Sequence, residues 1–202
     1  MGIELLTHPI VLPITLPLLA GLVCLLIPNR ASGLRSSVAV LAAALVLALV
    51  WPLFQQSNMV LNPFPWLSFR IDTLSAFILL AVAFFGLLIG IYSIGYMKGH
   101  KRHREYFTYF LWTLGISCGV VLANDLLLLL VCWGFLALTL YLMASISGPG
   151  AAEAARKSLM VIGGTDALMP VSYTHLTLPT TWSRCRAGGW AGGGCGGGGG
   201  GG

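Results

Sequence analysis

An all-α, polytopic membrane helix bundle, with five complete transmembrane helices and the start of a sixth, is the fold class that three observations predict. Of the 202 residues, 57% are hydrophobic and only 8% are charged, against roughly 25% charged in ordinary soluble domains. The mean hydropathy is +0.88. The apolar residues gather into runs close to the ~20 residues that cross a bilayer, and the basic residues form short clusters between those runs.

The runs follow in order. Ile10 to Ile27 is the first. Pro9, Pro13 and Pro17 fall at i, i+4 and i+8 in and before it, on one helix face. Membrane helices tolerate proline where neighbouring helices satisfy the freed carbonyls, so the pattern favours a bundle over a lone anchor. The residues before this run carry no positive n-region and the run continues to Ile27, so the first segment is expected to stay in the mature protein. Ser37 to Phe54, Leu74 to Tyr96, Tyr106 to Ala123 and Leu126 to Ile146 are the second to fifth runs, and a sixth begins near Lys157 and breaks off at Pro170. The long segment between the second and third runs is expected to be a loop, its Trp66 and Phe69 suited to the membrane interface. Gly86 with Gly90, and Gly95 with Gly99, have GxxxG spacing and read as close-packing positions at most.

Loop charge predicts the orientation. Arg30 and Arg35 lie between the first and second runs, Lys98, Lys101, Arg102 and Arg104 between the third and fourth, and Arg156 and Lys157 between the fifth and sixth; the alternate loops hold only Arg70. Basic loops stay in the cytoplasm, which puts the N-terminus outside. The net charge of +5 is thus the signature of a lipid-bilayer protein, not of a nucleic-acid binder. Cys24, Cys118 and Cys132 lie singly within apolar runs and read as small buried hydrophobes rather than a disulfide or metal framework.

Composition changes after Pro170. Val171 to Thr181 is polar and β-branched, and Gly196 to Gly202 is unbroken glycine, which has no side chains to bury and the most backbone entropy to lose. Residues 171–202 resemble translated sequencing adapter followed by poly-G. They are expected to be a non-native, disordered tail, and His175, Cys185 and Cys195 within them are not recruited into any metal site.

An ionisable group inside a bilayer costs about 2.5 to 3.5 kcal/mol on insertion scales, so one deep in a span is a functional candidate. Glu4, Glu105 and Glu153 sit in flanks or loops and read as solvated charge. Asp72 precedes the third run and Asp125, after Asn124, precedes the fifth; N-capping alone would explain either acid, with proton uptake the alternative role. Asp166 lies nine residues beyond Lys157, roughly 14 Å along a helix, which would place it well into the membrane. Gly163 and Gly164 before it leave room for a close neighbour. An acid there has a raised pKa unless a cation faces it, and an acid and a lysine that approach and separate can load and release a proton; a structural buried acid is the alternative. The sequence holds no Walker A motif, no GxGxxG after a strand, no HExxH and no nucleophile elbow.

Several segments, in order, carry a resemblance: Arg70–Ser75, Tyr92–Met97, a basic loop into Tyr106–Phe110, Leu122–Trp133, Leu140–Met143, Ala154–Leu159 and Thr165–Leu168. Together they resemble the antiporter-like membrane subunits of respiratory complex I, closest to subunit L of bacterial NADH-quinone oxidoreductase, whose relatives serve in multisubunit cation/proton antiporters. The resemblance covers roughly residues 5–170, implying that residues 1–170 are an N-terminal fragment of the antiporter-like transmembrane domain. It implies a larger subunit with inverted repeats and broken helices about a polar mid-membrane axis, in a bacterial cytoplasmic membrane. The subunit would translocate protons or cations without a redox site of its own. NADH, flavin, iron–sulfur clusters and quinone would belong to partner subunits of the complex.

The resemblance also implies roles. Asp166 falls at the acid of a Gly-Asp pair on helix six, Asp72 at an acid opening helix three, and Lys157 at a lysine entering helix six. The family's proton path uses a glutamate on helix five, directly after a tryptophan, and lysines on helix seven and beyond. Here Gly134 follows Trp133, so that glutamate is missing, and Asp125 is about 13 Å away along the helix. Gly163, where the family often has a basic residue, also departs. The ion-translocation candidates are therefore Asp166, Lys157, Asp125 and Asp72. A transport-silent structural paralogue, a cation/proton antiporter and an inorganic-carbon uptake membrane subunit remain as alternatives.

Overall fold

The computed structural model describes residues 8–28, 32–55, 59–64, 67–97, 102–146, 148, 150–166, 168 and 171–172. Among them the order is α1 (Leu12–Leu26), α2 (Ser32–Gln55), β1 (Met59–Phe64), β2 (Leu67–Ile71), α3 (Thr73–Tyr96), α4 (His103–Leu122), α5 (Leu126–Ser145) and α6 (Ala151–Asp166). The chain divides into two compact units, Met1–Leu159 and Met160–Gly202. Trp66, Arg30, Lys98, Gly99, Lys101 and the expected tail from residue 173 onward lie outside the described residues.

The protein is mostly helical and multi-pass. Gly33–Gln55, Thr73–Tyr96, His103–Leu122 and Leu126–Ser145 are long and apolar enough to cross a membrane. The expected first span is shorter: α1 has 15 residues, about 22 Å at 1.5 Å per residue, less than the ~30 Å hydrocarbon core. Its limits have local causes. The carbonyl of His8 accepts the amides of Val11 and Leu12 in a turn, and at the other end Ile27 is extended, with φ −66° and ψ 126°, as a residue before proline prefers to be.

Two further expectations are corrected. The sixth helix starts at Ala151, not near Lys157: Gly150 takes φ +81°, a left-handed conformation open to glycine, and its carbonyl accepts the amides of Glu153 and Ala154. The chain is also not wholly α. The expected loop before α3 contains an antiparallel hairpin pairing Met59 with Ile71, Val60 with Arg70 and Leu61 with Phe69, in a stretch rich in the β-branched and aromatic residues that suit strands. Phe69 and Ile71 are buried while Arg70 between them is exposed, the period-two alternation of a half-buried strand.

Helix α4 packs against α1, α2, α3 and α5. Of the four long spans α4 is the most buried and α5 the least, so α5 lies at the periphery of the four. One apolar cluster, with Ile10, Val50, Leu53, Ile71, Leu79 and Leu122, lies at the hairpin end. A second, with Cys24, Ala39, Met97, Phe107 and Leu111, lies at the other end. Small residues bring α1 against α4: a Cβ on Gly21 would sit 2.5 Å from Trp112 Cδ1, and one on Gly115 would sit 3.0 Å from the Ile14 carbonyl oxygen. Gly86 is a close-packing position too, its Cβ site 2.5 Å from Leu114 Cδ1, whereas a Cβ on Gly95 would meet nothing within 4 Å among the described residues.

Arg35 is not a loop charge. It lies in the first turns of α2 and is 1% exposed. Its Nη2 donates to the carbonyls of Ile27 at 2.8 Å and Pro28 at 3.1 Å, so the guanidinium caps the C-terminal end of α1, where carbonyls lack helical partners and the dipole is negative.

Candidate ion-translocation residues

Asp125 stands at the N-cap of α5, with φ −99° and ψ 141° and its carbonyl taking the Leu129 amide. Its side chain does not cap the helix. Instead Oδ2 accepts the backbone N–H and the hydroxyl of Ser68, each at 2.7 Å. Asn124 completes the junction: its Nδ2 donates to Ser68 Oγ at 2.9 Å and its amide to the Ser68 carbonyl at 3.1 Å. The expected side-chain cap is thus replaced by a clamp. Hairpin and helix mouth meet because Phe69 bridges to Ala123, which brings Ser68 into reach of the carboxylate.

Asp72 is the N-cap residue of α3, again with no side-chain capping bond. Its carbonyl accepts the Ala76 amide at 2.8 Å, while Oδ1 accepts from Arg70 Nε at 3.0 Å. Backbone hydrogen bonding on strand β2 and its turn into α3 brings the guanidinium two residues back to the acid. Both partners are about half exposed, so this pair contributes at most ~1 kcal/mol.

Lys157 donates to Glu153 at 3.1 Å in an i, i+4 pair, with the two side chains 75% and 72% exposed. Asp166 is the last residue of α6 and half-buried, and Gly163 and Gly164 have open space at their Cβ positions. Before it, the Thr165 hydroxyl donates to the Ile162 carbonyl at 2.8 Å. Lys157 belongs to the first compact unit and Asp166 to the second. Gly134, in mid-α5, is exposed, and a Cβ there would meet nothing within 4 Å among the described residues.

The acids at the heads of α3 and α5 therefore share the hairpin end of the bundle, each with a polar partner from β2. Two functional-looking groups escaped the sequence reading. Ser68 had no signal, because a serine beside an interfacial aromatic is unremarkable until the hairpin folds. Arg35 had one: it stands two residues before the second apolar run, where a cation at a helix start has to find acceptors.

Residues 65–107, which include β2, α3 and the start of α4, match the family described as NADH-Ubiquinone oxidoreductase (complex I), chain 5 N-terminus. The chain resembles the antiporter-like membrane subunits of complex I. It is 30% identical over 129 residues to the probable inorganic carbon transporter subunit DabB of Bacillus subtilis, covering 63% of this chain and 25% of that one. It is 34% identical over 125 residues to NADH-quinone oxidoreductase subunit L of Mycobacterium tuberculosis, covering 61% of this chain and 20% of that one. In fold it is similar to a chain of the membrane-bound sulfane sulfur reductase, an archaeal respiratory membrane complex, with a TM-score of 0.72, 21% identity, and coverage of 80% of this chain and 35% of that chain. The chain spans between 16% and 25% of the length of such curated relatives.

Proposed function

We propose that the chain is part of a proton- or cation-translocating membrane subunit of a complex I type NADH-quinone oxidoreductase or a related redox-driven assembly. The observation that carries this is the match of residues 65–107 to the chain 5 N-terminus. The other membrane subunits are its partners, and NADH, flavin, iron–sulfur clusters and quinone are held by partner subunits. Helix α1 is a fifth span, completed by the turn from His8, and α6 enters the membrane as the sixth. The N-terminus faces outward across a bacterial cytoplasmic membrane, a reading supported by the basic residues Arg102 and Arg104 at the start of α4 and Arg156 and Lys157 in the first two turns of α6.

Asp166 is the carboxylate that takes up and releases the transported proton. Lys157, in the second turn of α6, supplies the cation, and Asp125 and Asp72 tend the hairpin-side mouth. The test is Asp166→Asn in the assembled complex in proteoliposomes: pumping should fall at least tenfold while assembly and quinone reduction persist. Undiminished pumping removes Asp166 from the path.

A second reading, a transport-silent paralogue, is favoured by Gly134, which puts no carboxylate where α5 has space for one. Proton flux through the reconstituted complex that is unchanged by substitution of every candidate acid would select it. Bicarbonate uptake without redox-linked pumping would select the inorganic-carbon alternative.

A further inference from the structure

The contact between the buried guanidinium of Arg35 and the ring of His103 is a joint whose chemistry depends on protonation. Arg35 Nη1 lies 3.4 Å from His103 Nδ1. A guanidinium can only donate, so in this contact Nδ1 is the acceptor and the imidazole is neutral, with its proton on Nε2. The remaining Nη2 bonds go to the Ile27 and Pro28 carbonyls, and the Cys24 thiol donates to the Arg35 carbonyl at 3.8 Å. One side chain of α2 thereby ties the end of α1 to the first residue of α4, and the Phe107 ring 4.7 Å from the imidazole holds the other side of the joint.

We propose that Arg35 and His103 form a pH-sensitive lock between the α1–α2 junction and the start of α4, closed when His103 is neutral and opened when it is protonated. Protonation at Nδ1 removes the acceptor and sets a second cation beside the buried guanidinium. No carboxylate bonds to Arg35 among the described residues, and its Nε is already buried without a partner there. Among the described residues the joint has no anion in reserve. The sign is fixed by this chemistry: the contact holds while Nδ1 is unprotonated and is lost when acid protonates it.

The other charged and titratable groups at this end do not supply the missing anion. Cys24 on α1, Tyr141 on α5, and Tyr92 and Tyr96 on α3 bring a thiol and phenols, not carboxylates, to this end. Arg102 before α4 and Arg104 on it add positive charge, Tyr106 is engaged with Ser93 at 2.9 Å, and Glu105, the one acid on α4, is two residues from His103 and is not bonded to Arg35. Arg30, Lys98, His100 and Lys101 lie outside the described residues.

Cys24 is a built-in reporter, because it is buried at the joint. The test uses the full chain in nanodiscs, where both faces share one pH, and follows maleimide modification of Cys24 relative to Cys132 by site-resolved mass spectrometry. The ratio cancels the common fall in thiolate with acidification. It should rise about tenfold between pH 7.5 and 4.5, the scale set by losing one hydrogen bond to a charged group. His103→Gln, whose amide oxygen still accepts, should keep the low ratio at both values. His103→Lys should give the high ratio at both. A wild-type ratio that does not change with pH overturns the proposal, as does a pH response that persists in His103→Gln, which would assign it to another group. Should the lysine variant not fold, the wild-type and glutamine arms still decide.

Discussion

Asp125 Oδ2 accepts both the amide and the hydroxyl of Ser68, at 2.7 Å each, and so fastens the hairpin to the mouth of α5. Charge-assisted bonds of this length are stronger than neutral ones, and Ser68 is buried at 9% exposure, so removing the acceptor leaves a desolvated amide without a partner. Asp125→Ala should destabilise the chain by about 1–3 kcal/mol, and Asp125→Asn, which retains one carbonyl oxygen, by less. Hydrogen exchange at the Ser68 and Asn124 amides, with thermal unfolding in detergent, measures both. If Asp125→Ala leaves exchange at Ser68 unchanged, the carboxylate is not the clamp.

The approach of α1 to α4 makes a second prediction. A methyl on Gly21 would lie 2.5 Å from Trp112 Cδ1, 2.6 Å from its Nε1 and 3.3 Å from the Thr108 carbonyl oxygen. A packed indole has little freedom to withdraw, and overpacking costs about 1–3 kcal/mol. At Gly86 the obstruction is the end of the Leu114 side chain, which can rotate. Gly21→Ala should therefore lower the midpoint of thermal unfolding clearly, and Gly86→Ala by less. Equal losses would mean that the tryptophan yields as readily as the leucine.

Much of this architecture was legible because a bilayer demands long apolar helices. The runs ending at Phe54, Tyr96, Ala123 and Ile146 became helices ending at Gln55, Tyr96, Leu122 and Ser145. What failed was local. The hairpin depends on pairing between residues such as Leu61 and Phe69, and no helix-period or run-length signal reports pairing. Asp72 and Asp125 were correctly placed at helix starts, yet their carboxylates turned to Arg70 and Ser68, because the folded hairpin offered charge-assisted partners in place of a free helix amide. The burial of Arg35 was equally invisible: only the return of the chain at Ile27 and Pro28 creates the carbonyls that receive it.

The Lys157–Glu153 pair lies on an exposed face, with side chains 75% and 72% accessible. Such an i, i+4 pair contributes only about 0.3–0.5 kcal/mol. Lys157→Ala should leave thermal unfolding within that margin. Any loss of ion flux in the assembled complex would then reflect the missing cation and not a damaged fold, and a midpoint shift of many degrees would instead reveal a structural role for Lys157.

Gly134 permits the converse experiment. Because a Cβ there meets nothing within 4 Å among the described residues, Gly134→Ala should be neutral or slightly stabilising, since alanine is favoured over glycine in a helix by about 0.8–1 kcal/mol. Gly134→Glu faces no steric barrier but must bring a carboxyl into an apolar span, at a cost of about 2.5–3.5 kcal/mol if charged. A span with mean hydropathy 2.5 can carry one such residue and still insert. Glycosylation mapping of insertion should thus show both variants spanning the membrane, with the glutamate variant less efficient and its efficiency rising at low pH as the carboxyl is neutralised. If the glutamate inserts as well as the alanine at every pH, a polar group near mid-α5 already receives it.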